Sequence, residues 1–289
     1  GRARMFDVDP LPYAETRIAT GLRTGPDGAG TRPGTVHALH IDPESALLEY
    51  LAMYYRLGRA GKALDRFGVI EFATTIAPGV RDVLLTGKVF EAVQRNSRNK
   101  GAIQYDAVVL DAPPTGRITQ FLNVSDELAG LAKVGPIKSQ ADTMMTLFRS
   151  PRTAVHLVTV LEEMPVQETA DGIEELRAAG LPVGGVIVNL VRPRDLPDDA
   201  LALAAAGKLD KEAVRAELDA VGVSTTRTLV DGLAAEARDH AERRALEESQ
   251  RALVDQLGVP TYELERLAGG IDLGGLYDLA ATLRDQGLA

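Results

Sequence analysis

Cysteine and tryptophan are both absent from this chain of 289 residues. Without thiols there is no disulfide scaffold, no thiolate metal site and no cysteine nucleophile. Aromatic residues are scarce as well, six Phe and seven Tyr. No apolar run approaches the ~18 residues that a membrane-spanning helix needs. An excess of basic residues is missing too. The sum of 32 Lys and Arg against 41 Asp and Glu leaves a net charge of −9, which excludes a polycationic nucleic-acid binder. Gly1 stands where a Met would open a reading frame, so the sequence reads as a piece of a longer chain. What is present is 45% apolar residues, enough for a substantial core.

Short apolar runs alternate with amphipathic segments. The runs Thr35–Ile41, Tyr105–Asp111, Ala154–Leu161, Gly184–Val191 and Val259–Leu264 predict strands. The middle three are β-branched and almost continuously apolar, as in a parallel sheet covered on both faces. Between the third and fourth lies a punctuated helix: Pro165 suits its first turn, and Val166, Ala170, Ile173 and Leu176 recur at helical spacing. Gly180 suits its C-terminal cap. The strand–helix–strand unit predicts a doubly wound α/β fold with a mostly parallel sheet. The expected organisation is one domain over residues 1–289, with helical insertions at about 44–100 and 125–150. A late helix from about Thr225 to Leu257 is expected to bury Leu229, Leu233, Ala237, Ala241 and Ala245, with Glu242, Arg243, Arg244, Glu247 and Glu248 solvated. Gly21 to Gly34, with five Gly and two Pro, reads as a surface connection.

The stretch VVLDAPPTGR, Val108 to Arg117, carries the chemistry. In an open α/β sheet, ligands bind beyond the carboxyl ends of the strands. A carboxylate at Asp111 can hold a magnesium-bound water, and the Gly116 amide can approach a phosphate unhindered by a Cβ. Taken alone, the same residues also read as a strand-ending turn. Asn189, at the end of GGVIVNLV, offers a donor and an acceptor suited to the N6 and N7 edge of adenine; alternatively it caps its own turn. The four His are scattered and read as structural. GRAGKA, Gly58 to Ala63, is rejected as a phosphate loop. Its Gly spacing is wrong, and Ala63 stands where Ser or Thr should ligate magnesium. The apolar group Tyr50, Met53, Tyr54, Tyr55, Met144, Met145 and Phe148 is either core or a docking face for a client helix or acyl chain.

DAPPTGR resembles the switch II motif of the arsenical pump-driving and tail-anchored-protein-targeting ATPases, the deviant Walker A branch of the P-loop ATPases. Other stretches resemble that family in collinear order: VHALHIDPESA, APGVRDVLL, LEEMPVQET and GGVIVNLV, with wording most like the actinobacterial paralogues. The resemblance implies ATP and magnesium as cofactors. It implies that Asp111 holds the magnesium water, that Pro114, Thr115 and Gly116 form the γ-phosphate switch, and that Asn189 selects adenine. The loop from Glu265 to Gly270 would lie against the base, here without the family's usual Pro. It also implies a cytoplasmic homodimer, or a heterodimer with a paralogue, whose closure on ATP serves a hydrophobic client or membrane-protein partner. Ala112 and Arg117 replace the family's Thr and His, and the lack of Cys separates the chain from thiol-dependent arsenite sensing and zinc-linked dimers. By this alignment the first strand, the phosphate loop and the switch I acid would precede Gly1, so hydrolysis is expected of the intact protein and not of these residues alone. The alternative is a non-catalytic binding module on the same scaffold.

Overall fold

The computed structural model describes residues 14–21, 34–42, 45–46, 78–95, 101–123, 136–193 and 196–288. Its contacts divide the chain into two compact units. One holds residues 1–155, 172–183 and 269–278, and the other holds 156–171, 184–268 and 279–289. Of the predicted helical insertion at about 44–100, residues 44, 47–77, which include the GRAGKA stretch, and 96–100 lie outside the described residues; a helical start is described at Ser45–Ala46. Asp42 sets that start, its Oδ2 accepting from Ser45 N and Oγ at 2.8 Å each.

The first unit opens with β1 (Thr16–Thr20) paired antiparallel to β2 (Thr35–Ala38). Gly21 N donates to Gly34 O at 2.7 Å and ties the two ends of the predicted connection together. Helix α1 (Pro78–Gln94) contacts α2 (Thr115–Leu122) and α3 (Pro136–Phe148). Their shared core includes Leu84, Ile118, Phe121, Met144 and Phe148, all buried. Met144, Met145 and Phe148 are therefore core, which removes them from the docking face considered above; Tyr50, Met53, Tyr54 and Tyr55 lie outside the described residues.

In the second unit β3 (Val155–Thr159), β4 (Val183–Val191) and β5 (Thr261–Glu265) form a sheet in the order β3-β4-β5, with β4 and β5 parallel. Val186 and Val188 are fully buried, as the near-continuous apolar run requires. β3 instead alternates, burying Leu157 and Thr159 while His156 and Val158 face outward. The β4–β5 approach is tight at Gly185, where an added Cβ would stand 2.7 Å from Pro260 O. Beside β5, an edge of the sheet among the described residues, the Gln286 carboxamide takes both main-chain groups of Glu263: its Oε1 accepts from Glu263 N and its Nε2 donates to Glu263 O, each at 2.8 Å.

Helix α4 (Glu163–Ala178) is where the punctuation placed it, with Val166, Ile173 and Leu176 buried. Gly180 closes it with φ of 71°, and Leu181 N returns to Leu176 O at 2.9 Å. Two short helices, α5 (Asp198–Ala205) and α6 (Lys211–Ala220), contact α7 (Arg227–Asp255). Thr226 caps α7 by accepting from Leu229 N at 3.1 Å. The chain ends on α8 (Leu273–Asp285).

Two expectations are corrected. Tyr105–Asp111 is not a strand: no neighbouring strand among the described residues offers it a ladder, and Val109 is 94% exposed. On α7 Ala241 is buried as expected, but Leu229 and Leu233 are exposed, and the other buried positions are Val230, Glu247, Gln250 and Val254. Glu247, expected in solvent, is taken up by Arg192 and Arg244.

Candidate functional site

The segment leading to Asp111 is held at its start by a charge cluster. Arg95, at the end of α1 and with a side chain 6% exposed, contacts Glu15 at 2.6 Å and Glu91 at 2.8 Å. It also donates to Ile103 O at 3.2 Å. Tyr105 donates its hydroxyl to Glu15 at 2.9 Å, and His37 stands edge-on to its ring at a centroid distance of 5.9 Å. The Arg95 hydrogen bonds hold both carboxyls below the ordinary glutamate range, against the opposing pull of burial. Burial, then the bond to Glu15, pushes the Tyr105 phenol up. A carboxyl held low when folded stabilises the fold above its unfolded pKa and loses that contribution as pH falls through the folded value. Melting curves of wild type and Glu15→Gln are therefore expected to differ at pH 7 and to converge as pH drops below about 4. A gap that widens on acidification would contradict the assignment.

Beyond the cluster the chain bends at Asp106 and runs without regular secondary structure to Asp111, which is exposed, and on through Ala112-Pro113-Pro114 into α2. Pro114, with φ of −53° and ψ of 155°, occupies the N-cap and supplies no side-chain cap to the helix. The carbonyl of Pro114 accepts from Arg117 N at 2.9 Å. Ile118, Phe121 and Leu122 anchor the helix in the core and leave its first turn outward. Among the described residues a Cβ built on Gly116 meets nothing within 4 Å, so a ligand could approach the Cα side of this residue without a side chain in the way. Uncapped helix N-termini of this kind favour anions, through their N–H groups and the helix dipole. Arg117 turns away from this turn and reaches Asp82 of α1 at 3.7 Å. Asp111, Pro114, Thr115 and Gly116 thus share one turn of the first unit.

Asn189 and Glu265 share the second unit, at the adjoining carboxyl ends of β4 and β5. Val191 is the partner of Glu265, and Arg266 N donates to Val191 O at 2.9 Å. The register slips between Val188 and Val191, and Leu190 within the slip has φ of 59°. Asn189 Oδ1 accepts from Leu190 N at 2.9 Å, the turn-capping bond anticipated as its alternative role. That bond takes one of two lone pairs on the oxygen and leaves the amide donors for a ligand. Glu265 is exposed at the mouth of its loop.

The composition of the acidic side chains bears on metal binding. Among the described residues no group of three or more His, Asp or Glu gathers to hold an ion. A single carboxylate such as Asp111 suits magnesium that keeps its waters and arrives with substrate phosphates. Sequence reasoning did not single out Arg192, and it placed Arg244 and Glu247 in solvent. The i, i+3 spacing of Arg244 and Glu247 was a visible signal for their pairing.

The mixed α/β architecture with its three-stranded parallel sheet is that of an α/β P-loop nucleoside triphosphatase fold. The signature of the family of anion-transporting ATPases matches residues 34–151. The ATPase BagA of Mycobacterium tuberculosis is 49% identical over 288 residues, which make up 100% of this chain and 82% of the relative. The chain belongs to this ATPase family. More distant relatives are the ATPases GET3 of Kluyveromyces lactis, 24% identical over 204 residues, and of Lachancea thermotolerans, 25% over 216. These alignments cover 59% and 63% of this chain, and 58% and 61% of the relatives. Among the described residues no helix is long and apolar enough to cross a membrane.

Proposed function

We propose that these residues form the sensor and base-reading part of an ATPase that binds and hydrolyses ATP with magnesium. The observation that carries this reading is the first turn of α2, which has no side-chain cap, has room at the Gly116 Cβ position among the described residues, and follows Asp111. A terminal phosphate can rest on the Thr115 and Gly116 amides, and Asp111 can orient a magnesium-bound water. Magnesium supplies charge neutralisation to the transferring phosphoryl group; the turn supplies donors fixed in advance of the reaction. The 289 residues contain no Gly-rich loop with a phosphate-binding Lys, so hydrolysis would need such a loop in addition to these residues. Nucleotide occupancy would close a homodimer or a heterodimer with a paralogue in the cytoplasm, and closure would act on an apolar client. The family membership and the shared turn support this assignment; the dimer and the client follow from the resemblance alone.

On this reading Asn189 contributes to base choice. Asn189→Ala in the intact protein is expected to lower the ratio of ATP to GTP affinity on the order of tenfold, the size of losing one good polar contact to a base edge. Equilibrium titration with both nucleotides measures it. An unchanged ratio would count against base recognition at this position.

A further inference from the structure

We infer that Glu247 and Arg192 are positioning residues for base recognition: their ion pair fixes the bulged end of β4, and through it the orientation of the Asn189 carboxamide. This rests on the nucleotide reading above.

Three observations lead there. The first is local geometry. Leu190 adopts φ of 59°, a region that a γ-branched L-residue enters only when its surroundings impose it. The second is where the constraint comes from. Asn189 Oδ1 holds Leu190 N from within the bulge, and Arg266 N holds Val191 O from the exit of β5. Neither bond restrains the chain on the α7 side. Arg192 does, its Nε standing 2.8 Å from Glu247 Oε1. The third is the character of that partner. Glu247 is buried on the α7 face that also carries Gln250 and Val254, and its second oxygen meets Arg244 Nη1 at 3.0 Å. A buried ion pair adds little net stability over apolar residues of similar volume, whereas in some proteins it selects one conformation. Here the conformation selected is that of the three residues from Asn189 to Val191.

Arg192 is half exposed, and Arg244 still pairs with Glu247 when Arg192 is removed, so Arg192→Ala leaves no buried charge alone. That makes it the gentler variant, and Glu247→Gln the stricter one. Both are made in the intact natural protein beside Asn189→Ala. Each is expected to reduce the ATP-to-GTP affinity ratio on the order of fivefold, the size of effect a residue outside a binding site commonly exerts. Amide hydrogen exchange at Leu190 and Val191 should accelerate in nucleotide-free protein, while Arg192→Ala melts close to wild type. If Asn189→Ala shifts the ratio and Arg192→Ala leaves both ratio and exchange unchanged, the ion pair is only structural and the inference fails while the nucleotide reading stands. If Asn189→Ala itself leaves the ratio unchanged, base recognition at β4 fails and this inference falls with it.

Discussion

Asp111→Ala in the intact natural protein is expected to cut steady-state ATP turnover on the order of 100-fold, with the fold preserved. The size follows from what one fixed polar group contributes to a charged transition state in a preorganised site. Preservation of the fold follows from location: Asp111 is exposed, and the helix it precedes is anchored by Ile118, Phe121 and Leu122. Phosphate release is compared with a thermal melt of the same preparation. Turnover equal to wild type would remove Asp111 from the magnesium role. A collapse of the melt together with turnover would instead place the residue in the folding of this turn.

The largest effect on stability is expected at Leu176. It is fully buried on α4, one turn after the equally enclosed Ile173 and just before the Gly180 cap. Leu176→Ala removes three carbons and leaves a void that close-packed neighbours fill only in part, at a cost of about 3 kcal/mol. For a chain of this size that lowers Tm by roughly 5 °C. Met at the same position conserves volume and should cost about 1 kcal/mol or less. A Leu176→Ala protein that melts with wild type would mean that α4 is not part of the cooperative core.

Helix α4 and strands β3 to β5 were legible because their signals are local: helical spacing from Val166 to Leu176, a Gly at the left-handed cap, and short apolar runs. The Tyr105–Asp111 run carried the same apolar signal, yet a strand exists only with a partner, and its own residues cannot encode one. The face of α7 was misread for a related reason. Counting apolar positions favoured Leu229 and Leu233, but Glu247 is buried and paired with Arg192, far away in sequence. At the site, the Asp-Ala-Pro-Pro-Thr-Gly turn was readable from its residue types. The slip at Asn189 was not, because register depends on how β5 lies beside β4.

The Gln286 side chain has a consequence for how this protein meets other chains. A five-residue edge strand offers an incoming peptide only a few main-chain rungs, and Gln286 occupies both groups of the middle one. A guest strand docking along β5 would have to displace that carboxamide or accept a ladder broken at its centre. Gln286, just past α8, thus occupies the rung that a guest strand would need at the centre of β5.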